Sequence, residues 1–349
     1  MGSQDQVIMG RFVIASREYL DTLISRRTGE IKLGERVQTI ETEDWEPVLQ
    51  SSKARFVLLG IPEDIGVRAN YGVGGTHTLW EPALKAFLNV HDTALLRGED
   101  ILVLGSFDFS RIMERSQDMD VEQLRDQVGY IDETIHPLIT RIIAAGKVPI
   151  VVGGGHNNCF PLLKGASLVK DKPLNCINLD AHSDFREMEG RHSGNGFRYA
   201  HCEGYLAKYT VIGLHENYNA QHIINDLRED PDLGFYYFED IFLRGKYTFE
   251  EILEKTIARM SGRPTGLELD LDCIEGVLSS AVTPCGITTQ HARTYITECA
   301  SGLHPAYLHL TEGAIKLNEG RTDATTAKLV AYLITDFIKA YKHKRSFFF

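Results

Sequence analysis

The stretch Asn175-Cys176-Ile177-Asn178-Leu179-Asp180-Ala181-His182-Ser183-Asp184 reads as a short buried strand that runs straight into three titratable side chains. Seven further segments read as strands: Arg55–Pro62, Ile101–Phe107, Lys147–Gly153, Tyr209–Leu214, Phe235–Phe238, Thr265–Asp272 and Ala306–Leu310. Most are continuous apolar runs without alternation, the pattern of parallel strands covered on both faces. Helical spacing fills the gaps. Asp120–Gly146 carries Val121, Leu124, Val128, Ile131, Ile135, Leu138 and Ile142 at that spacing, behind an Asp120…Gln123 capping-box start. Thr248…Glu251 opens a second helix in the same way, and Asn217–Glu229 and Ala324–Lys344 are two more. Such alternation predicts an α/β fold, with a parallel sheet of eight strands sandwiched between helices.

Working outward, the chain has 349 residues, more than one average domain, yet α/β units of this length often fold as one. No internal repeat, low-complexity tract or Pro/Gly/Ser linker divides it. Residues 51–349 therefore read as a single domain. Residues 1–50, helical and polar, read as an N-terminal extension packed on it. Hydrophobic residues make up 43% and charged residues 24%, which excludes a disordered or fibrous chain. Apolar runs such as Phe56–Ile61 and Val148–Val152 are far too short to cross a bilayer. A net charge of −11 argues against a nucleic-acid partner. The start Met1-Gly2-Ser3 lacks the order of a secretion signal, and six cysteines show no close metal spacing. Reduced thiols in a cytoplasmic protein are the expectation.

In such sheets, ligands gather beyond the carboxyl ends of the strands. Four ends carry unusual polar residues: Gly153-Gly154-Gly155-His156, then Asp180 to Asp184, then Asp270-Leu271-Asp272, then Thr311-Glu312. Side chains two apart in extended chain face the same way, so Asp180, His182 and Asp184 can converge, as can Asp270 and Asp272. Four carboxylates and two imidazoles at neighbouring tips repel strongly unless something neutralises them. Two divalent cations would balance the charge, and an oxygen-rich set with two histidines suits manganese better than zinc. Each motif alone has an ordinary explanation as a turn or a helix cap. Together they point to metal.

At these residues the chain resembles the ureohydrolases, the superfamily of arginase, agmatinase and formimidoylglutamase. Gly-Gly-Gly-His156, Asp180-Ala181-His182-Ser183-Asp184 and Glu268-Leu269-Asp270-Leu271-Asp272 look like its three signature motifs, and the likeness runs from about Phe56 to Glu312. It implies a three-layer α/β/α sandwich with an eight-stranded parallel sheet, and two Mn²⁺ per chain. By position, His156, Asp180, Asp184 and Asp270 would hold one ion, and Asp180, His182, Asp270 and Asp272 the other. The resemblance also implies that the metals activate a water for attack on an amidino carbon. Asp184 would carry the proton to the leaving amine, and Glu312 would pair with the substrate's planar cation. His192, or less favourably His201, would shuttle protons at the mouth. The third motif departs from the family's usual Asp-x-Asp-x-x-Asp-Pro, because Glu275 stands in the place of the last Asp.

Arg191-His192-Ser193-Gly194-Asn195-Gly196-Phe197-Arg198 bears on the substrate. Its Phe-Arg after a His-Ser-Gly start looks closer to formimidoylglutamase than to arginase, as does Pro62–Asn70, although Val73 stands where an arginine is expected. Ser193 and Asn195 would receive an α-carboxylate and Arg198 a second carboxylate, with Arg191 and Arg68 behind it. The expected reaction is N-formimidoyl-L-glutamate plus water to L-glutamate and formamide. Arginase or another guanidino hydrolase, or a non-catalytic binding protein of this fold, are the alternatives. The family is usually oligomeric, so a homo-oligomer acting on a small molecule, away from membranes, is expected.

Overall fold

The computed structural model describes residues 10–42 and 44–343. Met1-Gly2-Ser3 and Lys344, the predicted end of the last helix, lie outside the described residues. In chain order the strands are β1 (Arg11–Ile14), β2 (Phe56–Gly60), β3 (Ile101–Asp108), β4 (Val148–Val152), β5 (Leu174–Leu179), β6 (Leu206–Leu214), β7 (Leu233–Tyr237), β8 (Thr265–Asp270) and β9 (Pro305–Thr311). They form one sheet in the order β1-β3-β2-β4-β9-β8-β5-β6-β7. The eight expected strands are β2 to β9, and every pairing among them is parallel.

Both faces of this sheet are covered, which is why its strands are apolar without alternation. Along β2, Phe56 and Leu58 enter one apolar layer, while Val57 and Leu59 enter the other. Helices Trp80–Leu88, Phe249–Met260, Thr289–Gly302 and Thr325–Lys342 close the first layer. Helices Val121–Ala144, Cys159–Lys170 and Gln221–Glu229 close the second. The two expected capping boxes are present. The Gln123 amide donates to Asp120 Oδ1 at 2.9 Å, and the Glu251 amide to Thr248 Oγ1 at 3.1 Å. Among the described residues, no helix is long and apolar enough to cross a membrane.

The N-terminal extension corrects the expectation of a helical appendage. Helices Arg17–Leu23 and Trp45–Ser51 are there, but Arg11–Ile14 is a ninth strand, antiparallel to β3. The Gln38 backbone continues the pairing further along β3, with its amide on Ile101 O at 2.8 Å. β3 would otherwise present a row of unpaired amides and carbonyls at the sheet edge. Gly105 makes the approach possible: a Cβ there would sit 2.0 Å from Val13 O, and its φ is +141°. Arg11-Phe12-Val13-Ile14 does not alternate apolar with polar residues, so no period of two marks it as a strand.

Candidate metal centre

Strands β4, β9, β8 and β5 are consecutive neighbours in the sheet, although far apart in the chain. Their carboxyl ends therefore deliver His156, Glu312, Asp270 with Asp272, and Asp180 to Asp184 to one place. Chain order and strand order part company here, the usual position of a ligand crevice in an open α/β sheet.

The backbone does the aiming. Gly153 and Gly154 take φ of +91° and +78°, turning the chain at the end of β4 so that His156 points back over the sheet. Asp184 and Glu312 also sit at positive φ, +45° and +62°. That conformation is costly for residues with a Cβ, and it is held where the surroundings demand it. The Glu312 amide donates to Gly154 O at 3.0 Å, and the His156 amide donates to Glu312 Oε1 at 2.7 Å.

Two groups of ligand atoms result. His156 Nδ1 lies 2.8 Å from Asp184 Oδ2, 3.1 Å from Asp270 Oδ2 and 3.2 Å from Asp180 Oδ2. His182 Nδ1 lies 3.3 Å from Asp272 Oδ2 and 3.5 Å from Asp180 Oδ1. Asp180 thus offers one oxygen to each group. Asp270 gives Oδ2 to the first and accepts the Asp272 amide on Oδ1 at 2.8 Å. All six side chains except His182 are buried.

The charges are unbalanced. Burial and the neighbouring Asp180 push Asp184 up to about 6, and burial with Asp272 pushes Glu312 up to about 8. Burial, then Asp272 and Asp180, drives Asp270 well above the usual carboxylate range. Burial opposes a charge on His156, yet its bonds to Asp180, Asp184 and Asp270 raise it well above an ordinary imidazole. Asp272 Oδ1 is buried with no hydrogen-bond partner. Carboxylate oxygens and imidazole nitrogens in this condition fit hard divalent cations, which would replace the protons.

Sequence reasoning missed the supports beneath these residues. Glu63, fully buried, accepts the Gly155 amide at 3.0 Å, Asn158 Nδ2 at 2.8 Å and the Ile65 amide at 2.7 Å. Behind His156, Glu268 Oε2 lies 3.5 Å from Nε2 and 2.6 Å from His309 Nδ1, while Tyr307 donates to Oε1 at 2.8 Å. A carboxylate behind a ligating imidazole fixes its orientation. Glu268 sits two residues before Asp270 on the same strand, a spacing that could have flagged it.

Above the cluster lies a cavity of about 220 Å³, lined by Asp184, Asp270, Asp272 and Glu312 below and by Asn70, Arg186, Ser193 and Tyr218 around the mouth. Ser193 lines the mouth of this cavity. Three other rim expectations are corrected. Arg198 points away: Nε donates to Phe185 O at 2.8 Å, and its guanidinium pairs with Asp226 at 2.5 Å. Asn195 is used up within the loop, accepting from Arg191 at 2.8 Å and donating to Gly190 O at 2.8 Å. His192 is fully buried away from the cavity lining, and burial, then Arg186 and Arg125, lower it to about 4, which does not suit a shuttle at the mouth. Arg191 and Arg68 are likewise committed, to Asp132 at 2.9 Å and Asp64 at 3.0 Å. The lysine or arginine that lines the cavity, among the described residues, is Arg186. The step of two that joins residues 180, 182 and 184 continues to it, and that signal was available.

The same architecture recurs in known proteins. The Macrococcus caseolyticus formimidoylglutamase is 28% identical over 285 residues, covering 79% of this chain and 82% of that one. The Bacillus subtilis formimidoylglutamase structure superposes with a TM-score of 0.69 at 16% identity, covering 92% of this chain and 95% of that one. The Trypanosoma cruzi formiminoglutamase structure with Mn²⁺ gives a TM-score of 0.68 at 17% identity, over 90% of this chain and the whole of that one. A family model described as the arginase family matches residues 55–337, a span that holds the four strand ends and the sheet beneath them. On that match, the chain belongs to the arginase family.

Proposed function

We propose that this protein hydrolyses N-formimidoyl-L-glutamate to L-glutamate and formamide with two Mn²⁺ bound at the strand ends. The carrying observation is the pairing of an acidic floor with one arginine at the rim. A formimidoyl group is a small planar cation, which suits Glu312, and a glutamate tail is anionic, which suits Arg186 and the Ser193 hydroxyl. Arg186 spends one nitrogen on Asn70 Oδ1 at 2.9 Å and one on Glu189 at 2.7 Å, which leaves Nε without a hydrogen bond among the described residues. The relatives that carry the formimidoylglutamase name support the same substrate.

Family membership makes the chain a hydrolase of carbon–nitrogen bonds in linear amidines. His156, Asp180, Asp184 and Asp270 would hold one ion, and Asp180, His182, Asp270 and Asp272 the other. When bound, the ions supply Lewis acidity and lower the pKa of water. The chain supplies the rest. Glu312 orients the amidinium so that its carbon faces the floor. The oxygen of water adds to that carbon, and the bond to the glutamate nitrogen breaks. Asp184 takes one proton of the attacking water and returns it to the leaving nitrogen, and the second passes to that nitrogen as the new hydroxyl becomes the carbonyl of formamide. The floor is closed below by the sheet, so substrate and water reach it only through the mouth. The chemistry and the reduced cysteines suit the cytoplasm.

Product analysis of Mn²⁺-loaded protein against N-formimidoyl-L-glutamate, arginine, agmatine and guanidinobutyrate tests this reading. Formamide and glutamate should form far faster than urea from any guanidine. Preference for arginine or agmatine would overturn it.

A further inference from the structure

The rim is held from outside the cavity. Residues 186–195 carry Arg186 and Ser193, and the helix Val121–Ala144 grips them at two points. Arg125 donates to Glu189 O at 2.7 Å and pairs with Glu189 Oε1 at 3.4 Å. Two turns further along, buried Asp132 accepts Arg191 Nε at 2.9 Å. Neither Arg125 nor Asp132 lines the cavity.

Each grip is passed on. Glu189 Oε1 also accepts from Arg186 at 2.7 Å and lies 3.2 Å from His192 Nε2. His192 takes the Gly194 amide on Nδ1 at 3.1 Å, so the proton is on Nε2 and points at Glu189. The Arg186 amide closes the circuit on Gly194 O at 2.9 Å. Arg191 carries the second grip to Asn195 Oδ1 at 2.8 Å and to Asn157 O at 2.9 Å, beside His156. Its guanidinium lies 4.7 Å from the centre of the Phe160 ring and 4.9 Å from that of Tyr199, in the corner these two edge-on rings form. Gly190, at φ +101°, lies over the Arg125 stem, where a Cβ would meet Cδ at 2.8 Å.

We infer that Arg125 and Asp132 are positioning residues for substrate selection: they lock residues 186–195 so that Arg186 stays where a substrate carboxylate meets it. This rests on the carboxylate-bearing substrate proposed above. Arg186 is half-exposed on a loop, and a long side chain there samples many rotamers unless a fixed partner holds it. Glu189 is that partner, and Glu189 is itself fixed by Arg125. The helix contributes rigidity that the loop lacks.

Arg125→Met keeps the stem under Gly190 and removes the guanidinium; Asp132→Asn is close to isosteric. In each, KM for N-formimidoyl-L-glutamate should rise several-fold, up to about tenfold, with kcat within about twofold and Mn²⁺ content unchanged. An N-formimidoyl alkylamine without carboxylates should be turned over as by the parent. Arg125→Lys should recover part of the loss. Calorimetric binding of L-glutamate to the Mn²⁺-loaded protein makes the same comparison without turnover. Weaker glutamate binding in the variants of a parent inactive on formimidoylglutamate would leave the clamp standing and remove the reaction only. Unchanged KM and glutamate affinity in folded variants would overturn the clamp. So would equal losses on both substrates, or a fall in Mn²⁺ content.

Discussion

The floor of the cavity is aimed by backbone, whereas its rim is aimed by side chains reaching from a distant helix. On the floor, every titratable group ends a β-strand or follows one by no more than five residues, and the turn at Gly153 and Gly154 sets the direction of His156. At the rim, Arg186 stands on irregular chain and depends on Glu189, which depends on Arg125. A strand end is rigid because the whole sheet must move to displace it. A rim built of long side chains is adjustable one contact at a time. The difference suits a division of labour in which the reaction is fixed and the substrate is chosen.

Damage to the floor should therefore be nearly all-or-none. Asp270→Asn removes a carboxylate that the proposal gives to both ions. Bound Mn²⁺ should fall from two equivalents toward none, and activity should drop by more than the 10–100-fold typical of outer partners. Full metal retention in elemental analysis would place the ions elsewhere. Glu312→Gln separates binding of metal from binding of substrate. Metal content should hold while turnover falls roughly ten- to a hundredfold, the cost of a charge-assisted bond; unchanged kinetics would make Glu312 a structural residue only.

Rim changes should be smaller and graded. Arg186→Ala should raise KM about tenfold with little effect on kcat, and Arg198→Ala should change KM less than about twofold. The reverse order would restore Arg198 as the carboxylate reader. The smallest signal lies in stability. Asp184, Glu312 and Asp270 are raised above their unfolded values, so these groups hold more protons in the folded metal-free protein than in the unfolded chain, while His192, lowered to about 4, opposes them only at the acidic end. His156 and His182 are raised as well and act in the same direction. Stability is then present at low pH and lost as pH rises through about 6 and about 8. Melting of chelated protein should fall by a few degrees from pH 5.5 to 8.5, and Mn²⁺ should flatten that slope. A flat profile without metal would mean that the cluster is not strained by its own charge.

The same contrast explains what could be read in advance. β2 to β9 announce themselves because burial on both faces leaves a continuous apolar signature, and His156, Asp180 and Asp270 are conspicuous because they end such runs. Ser193 was reachable through its motif. Arg198 misled because its partner, Asp226, lies on another helix and nothing local reveals the pairing. Asn195 and His192 misled for a different reason: their partners are close in the chain, but both side chains are consumed holding the loop together. The supporting roles of Glu63 and His309 were invisible because they are defined by contacts across more than thirty residues of chain, whereas Glu268 stood inside the third motif and only its partner was hidden.

The ninth strand has a bearing on how the chain is made and handled. β1 is synthesised first, but its partner on β3 follows roughly ninety residues later, so the two must find each other across a long loop. Until they do, the edge of β3 from Gly105 to Asp108 can recruit any extended segment, including that of a second nascent chain. Trimming the first fifteen residues would make that exposure permanent, and a bulky fusion at this end would prolong it. Strand β1 therefore guards the edge of β3 against strand-to-strand aggregation.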